Sequence, residues 1–256
     1  YIDESNNSYV TEINETYVNK VSNKTSTSKV RYRIVEINSD GSIKIERADV
    51  LRNLPNTISL SSNIYIPFYS IDTGEGSTSC LYSSEKKYGE ETINVDNYYT
   101  GGCTNHNRFD LMEGNGNFEI NTGENIPYYL NNATNSFYNW YSDKTKNMII
   151  PTTVKLKQSG YARDYSALSE DGEVTLNVVL PSWGEMYTGN DLNIGYWHTN
   201  RWSSSSINVS LVDGRGIGFG YYIPAMVASR PVITLSKNVY ITSGNGTSNN
   251  PYSLDI

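Results

Sequence analysis

Val30-Arg31-Tyr32-Arg33-Ile34-Val35-Glu36-Ile37 sets apolar residues against charged ones at nearly every second place, the period of a strand with one buried face. Asn38-Ser39-Asp40-Gly41 follows, and Asp-Gly is a tight-turn pair. Ser42-Ile43-Lys44-Ile45-Glu46 then alternates again. Residues 30–46 therefore predict a β-hairpin. Residues 1–29 are polar, with a weak strand signal at Thr16-Tyr17-Val18. Ile64-Tyr65-Ile66-Pro67-Phe68 is a further extended run. From 70 to 123 the chain is dense in Gly, Ser, Asn and Tyr and reads as loop. A loop of that length in a compact domain is functional or an insertion.

The period changes after residue 125. Ile126, Tyr129, Leu130, Phe137, Trp140 and Tyr141 recur near helical spacing, and Pro127 fits a first turn. Ser142 is an N-cap for a second short helix that must stop before Pro151. Val174–Leu180 reads as a strand, and Ser182 with Glu185 forms a capping box that starts a short helix at 182. Strands are predicted at 195–199, 206–212, 216–223 and 229–235. The tail from Ile241 to Tyr252 is turn-rich and belongs on the surface. Gly214, Gly216, Gly218 and Gly220 alternate along one predicted strand, so period two places them on one face. They do not form a dinucleotide fingerprint, because no helix follows.

Composition narrows the class. The chain has 256 residues with 37% hydrophobic positions and 22 tyrosines. That aromatic supply is enough for a core despite the polarity. A formal charge of −7 argues against a nucleic-acid partner. There is no apolar run of membrane-spanning length. The chain starts at Tyr1, so the expectation is a trimmed piece whose export signal or membrane anchor lay upstream. Cys80 and Cys103 sit in Gly- and Ser-rich sequence. An oxidising compartment would join them, and a disulfide closing that loop adds about 3 kcal/mol. A zinc site through Cys103-Thr-Asn-His106 and two free thiols are the alternatives.

The order of motifs carries a resemblance. Tyr32-Arg33-Ile34-Val35 is followed by Phe137-Tyr138-Asn139-Trp140-Tyr141-Ser142-Asp143 and Leu180-Pro181-Ser182-Trp183-Gly184-Glu185. Then come Gly195-Tyr196-Trp197, Val209-Ser210-Leu211-Val212, Arg230-Pro231-Val232-Ile233-Thr234-Leu235 and the tail from Val239 to Thr247. This resembles a domain of unknown function in surface and prepilin-like proteins of low-GC Gram-positive bacteria. The Trp and Arg-Pro-Val pattern is similar to the C-type-lectin-like fold of formylglycine-generating-enzyme relatives and retroelement-diversified variable proteins. The resemblance implies a single extracellular α+β domain over 1–256, with a central antiparallel sheet, few short helices and a disulfide-stapled insertion at 70–123. In that fold the strands near 30–37 and 229–235 share one sheet.

The chemistry points away from catalysis. His106 and His198 are the only histidines, and His198, beside Trp197 in a predicted strand, reads as structural. No nucleophile elbow, zinc-protease or phosphate-loop motif occurs. Glu170-Asp171-Gly172-Glu173 has carboxylates for calcium but no EF-hand spacing, and a solvated turn is the better reading. The expectation is no catalytic residue, no metal and no cofactor. Arg201, Trp202, Ser203, Ser204, Tyr221 and Tyr222 are the candidate binding residues. They combine rigid aromatic rings and arginine with small polar groups, the mixture of adaptable binding surfaces. The expected protein is a non-catalytic, adhesin-like binding protein of the cell surface or a pilus, taking a host protein or glycan. A structural pilin-like subunit that partners its own kind, and an enzyme related to the formylglycine-generating group, are the alternatives.

Overall fold

The computed structural model describes residues 10–19, 24–48, 85–88, 91–94, 126–132, 136–158, 169–182, 196–201, 208–213, 216–222 and 229–256. The N-terminal region is far more ordered into strand than its polarity suggests. β1 (Val10–Asn19) pairs antiparallel with β2 (Lys24–Ile37) from Val10↔Arg33 to Asn19↔Lys24. Thr11, Ile13 and Glu15 are buried while Asn14 is exposed, so the strand alternates there, and two of these three buried residues are polar. On the exposed part, Thr16 and Thr27 hydroxyls bond across the strands at 2.8 Å, a cross-strand pair that stabilises a ladder without apolar side chains.

The predicted hairpin forms as expected. β2 turns at Asn38–Ser42 into β3 (Ile43–Arg47). Gly41 N donates to Asn38 O at 3.0 Å, and Asn38 N to Ser42 O at 2.9 Å. Gly41 takes φ 87° there, a left-handed conformation that favours glycine. Within the stretch read as loop, the structure has a two-stranded hairpin, β4 (Glu85–Tyr88) with β5 (Glu91–Asn94). Its charged strands hide the period in the sequence.

α1 (Ile126–Asn131) buries Ile126, Tyr129 and Leu130. The Asn131 amide acts as a substitute peptide: Nδ2 donates to Val178 O at 2.9 Å and Oδ1 accepts from Val178 N at 2.9 Å. A 3-10 turn, Phe137–Trp140, follows. The Phe137 ring packs against Trp140 at 5.1 Å and edge-on to Tyr141 at 5.3 Å. α2 (Asp143–Met148) is capped as its sequence predicts, Ser142 Oγ accepting from Thr145 N at 3.1 Å. The chain then enters β6 (Ile149–Ile150), and after Pro151 it becomes β7 (Thr152–Gln158) in a different sheet.

β8 (Ser169–Leu176) pairs with β7. Glu170-Asp171-Gly172-Glu173 is therefore not a turn. Leu156 pairs with Gly172 and Lys157 with Glu170, which leaves Asp171 out of register at a bulge, with Gly172 at φ 120°. β8 is the last strand of its sheet, and a charged bulge on an edge strand discourages further pairing. The strand expected to run to Leu180 stops at Leu176. Val179 instead exchanges backbone bonds with Val232 at 2.9 and 2.8 Å.

β9 (Tyr196–Arg201), β10 (Asn208–Asp213), β11 (Gly216–Tyr222) and β12 (Val232–Leu235) appear within two or three residues of their predicted bounds. The first five-stranded sheet runs β1-β2-β3-β12-β6 and the second β11-β10-β9-β7-β8. β2 and β12 thus share one antiparallel sheet, as the motif order implies. The expectation of one central antiparallel sheet needs amending. Among the described residues there are two large sheets, and the second is mixed, since β7 and β9 pair parallel at Gln158↔Arg201. Both sheets feed one apolar cluster: Tyr32, Ile45 and Ile233 from the first meet Val154, Leu156 and Leu176 from the second. The chain is mostly β with a few short helices.

The four-glycine face does not survive the register. Leu211 pairs with Phe219 and Val212 with Ile217, so Gly218 is an extra residue. The bulge reverses the alternation, and Gly216 and Gly220 fall on opposite faces. Gly214 and the helix expected from 182 to 185 lie outside the described residues beyond Ser182.

The tail closes the free edge of β1. Tyr252 O accepts from Glu12 N at 3.2 Å and from Thr11 Oγ1 at 2.9 Å, and Lys144 pairs with Asp255 at 3.0 Å. β13 (Tyr240–Ser243) and β14 (Ser253–Asp255) form the hairpin that presents Tyr252. Its turn depends on Gly244, at φ 90°, where a Cβ would collide with the Pro251 carbonyl oxygen. Gly244→Ala is expected to speed amide exchange in residues 240–255 by about tenfold or more, with the core unchanged. Unaltered protection of the tail in hydrogen-exchange mass spectrometry would contradict this.

Candidate binding surfaces

Three places gather polar chemistry, and they differ in access. The first is sealed. Glu15 from β1, Tyr32 from β2, Arg47 from β3 and Tyr141 after the 3-10 turn form one cluster, with Glu15 3% and Tyr32 0% exposed. Arg47 grips the carboxylate side-on: Nε lies 3.0 and 3.2 Å from its two oxygens, and Nη2 lies 3.0 Å from Oε2. The Tyr32 hydroxyl donates to Glu15 Oε1 at 2.6 Å. It therefore accepts from Tyr141, whose oxygen is 2.8 Å away. Burial, then the Glu15 charge, pushes the Tyr32 and Tyr141 phenols well above the usual tyrosine range. Burial opposes the charge on Arg47, but the Glu15 carboxylate outweighs it and the guanidinium is held more firmly protonated. With no open side for a substrate, this arrangement fixes the register of three strands against the aromatic turn.

The second place is open. A groove of about 350 Å³ lies between the β2–β3 turn and the crossing from β6 to β7. Asn38, Ser39, Asp40 and Ser42 form one wall, and Pro151, Thr152 and Thr153 the other. Asp40 Oδ1 accepts from Ser42 N at 2.9 Å and Ser42 Oγ at 2.7 Å, and these bonds lower its pKa below the usual carboxylate value.

The third place holds the binding residues expected from sequence. Arg201 is the last residue of β9 and pairs with Val209 of β10. Tyr221 of β11 pairs with the same Val209, and Tyr222 with Asn208. Arg201 and Tyr221 thus occupy one row of the sheet, a strand to either side of Val209, although 20 positions separate them in the chain. Trp202, Ser203 and Ser204 lie outside the described residues, as do Cys80, Cys103 and His106. His198 stands in β9.

Sequence reasoning missed Glu15, Arg47 and the groove. Glu15 falls in a stretch too polar to read as a half-buried strand. The groove assembles residues from 38 to 234, which no local pattern links. Among the described residues, no three His, Cys, Asp or Glu converge as a metal site, and no helix is long and apolar enough to cross a membrane. No protein-family model matches the chain, and neither a curated protein nor a solved structure matches it.

Proposed function

We propose that this chain is a non-catalytic binding module of a bacterial cell surface or pilus, with a C-type-lectin-like fold, and that it takes a host protein or glycan. The contact surface is the end of the second sheet where β9 finishes. The observation that carries this reading is the shared row of Arg201 and Tyr221 about Val209. It draws separate candidate segments to one place, with Trp202 next in the chain after Arg201. Arginine and large aromatics dominate interface energies. The fold reading is supported by β12 lying beside β3 in the sheet that also holds β2, as in folds whose early and late strands meet. The acid–base cluster at Glu15 and Arg47 is sealed in the core, which suits it to holding strands together rather than to meeting a substrate.

The test is binding of labelled protein to host cells and to an immobilised glycan panel. Trp202→Ala and Arg201→Ala are each expected to weaken it by about tenfold or more, with the melting temperature nearly unchanged. Intact binding with a melting temperature several degrees lower would make Trp202 a core residue and overturn the assignment.

A further inference from the structure

The groove beside the β2–β3 turn has a floor built by register. Lys44 of β3, Thr234 of β12 and Ile150 of β6 stand in one row across three strands. The floor is held rigid: Thr234 Oγ1 and Thr152 Oγ1 bond at 2.7 Å in a buried position, and Lys44 Nζ is held by Glu36 Oε2 at 3.1 Å. The charge of Lys44 is thus already matched, which disfavours an anionic occupant such as a phosphate. Asp40 offers a different chemistry. Both of its bonds to Ser42 use Oδ1, which leaves Oδ2 as a charged acceptor at the groove wall. Asn38 gives one N–H of its side-chain amide to Ser42 Oγ at 2.8 Å, leaving its carbonyl oxygen as a second acceptor and its other N–H as a donor. Ser39 adds an exposed hydroxyl, and Ile150 with Pro151 adds an apolar strip. Two acceptors, an amide N–H, a hydroxyl and a small apolar face match a molecule rich in O–H groups, which both donate and accept, with C–H patches between them. The volume of about 350 Å³ suits a ligand of one or two rings.

We propose that this groove is a second binding site, for a neutral saccharide, with Asp40 accepting hydrogen bonds from ring hydroxyls. It is independent of the β9–β11 surface and uses no metal ion. The affinity expected for so open a site is weak, with Kd about 1 mM for a monosaccharide.

The test uses the methyl glycosides of glucose, galactose, mannose and N-acetylglucosamine, titrated by saturation-transfer NMR. At least one is expected to bind. Asp40→Asn keeps an oxygen for Ser42 but removes the charged acceptor, and should weaken that glycoside by about tenfold. Ser39→Arg, at an exposed rim position, should block the groove without touching the core. No binding below about 20 mM for all four glycosides would overturn the proposal. So would equal affinity in both groove variants, or tighter binding of inorganic phosphate.

Discussion

Arg47→Ala is expected to lower the free energy of unfolding by about 3–5 kcal/mol, because it leaves a buried carboxylate without its cation. The Glu15 side chain is 3% exposed and takes three contacts from the guanidinium, all within 3.2 Å. After the substitution only Tyr32 remains to donate to it among the described residues. The chain must then bury a bare charge or admit water. The double replacement Glu15→Leu with Arg47→Met should recover most of the loss, since a buried ion pair exchanged for packed apolar groups is often neutral. Urea unfolding followed by circular dichroism measures both. A cost below about 1 kcal/mol for Arg47→Ala would mean that the cluster is solvated and that its strands are held by packing alone.

Alkaline pH is expected to unfold the protein rather than merely ionise it. Burial is the largest cause that raises the pKa of Tyr32, Tyr129 and Tyr141, and the negative charge of Glu15 adds to it in each case. Their pKa in the unfolded chain is about 10. Below that value the folded and unfolded states hold these protons equally, and the contribution to stability is complete. Above it the unfolded chain releases protons that the folded chain keeps, so stability falls as pH rises. Tyrosinate absorbance should therefore rise in two phases. The exposed tyrosines ionise first and reversibly. The buried three ionise late, together with loss of the circular dichroism signal. A single ionisation phase near pH 10 with the fold intact would show that the cluster opens to solvent.

The first prediction rests on Glu15 and Arg47, which the sequence did not mark, and the reason is physical. Alternation reveals a strand only when apolar and polar residues differ between its faces. At 30–46 they do, and the hairpin and its Asp-Gly turn were legible, although β2 begins at Lys24, before the predicted start. Ser142 as a helix cap was legible as well, because capping is a local bond between a hydroxyl and an amide three residues on. In β1 the inward face carries Thr11 and Glu15 beside Ile13, so the pattern cancels. Glu15 is tolerable inward only because Arg47, 32 positions away, supplies its counter-charge. A pairing over that distance leaves no periodic trace.

Among the candidate binding residues, the sequence by itself supplied residue types: arginine next to tryptophan, then serines, with a tyrosine pair further on. Only the tertiary structure brought Arg201 and Tyr221 onto one row, because strand order and register decide which distant residues become neighbours. The glycine series shows the same limit in reverse. Its spacing is regular in the chain, yet one extra residue at Gly218 breaks the face it implied. The sequence determined the short-range elements: strands with contrasting faces, turns and helix caps, each specified by forces acting within a few residues. The tertiary structure alone decided the two-sheet arrangement, the buried Glu15–Arg47 pair and the groove at Asp40. Each of these depends on long-range pairing, where burial energy and hydrogen-bond geometry act between segments that carry no mark of one another.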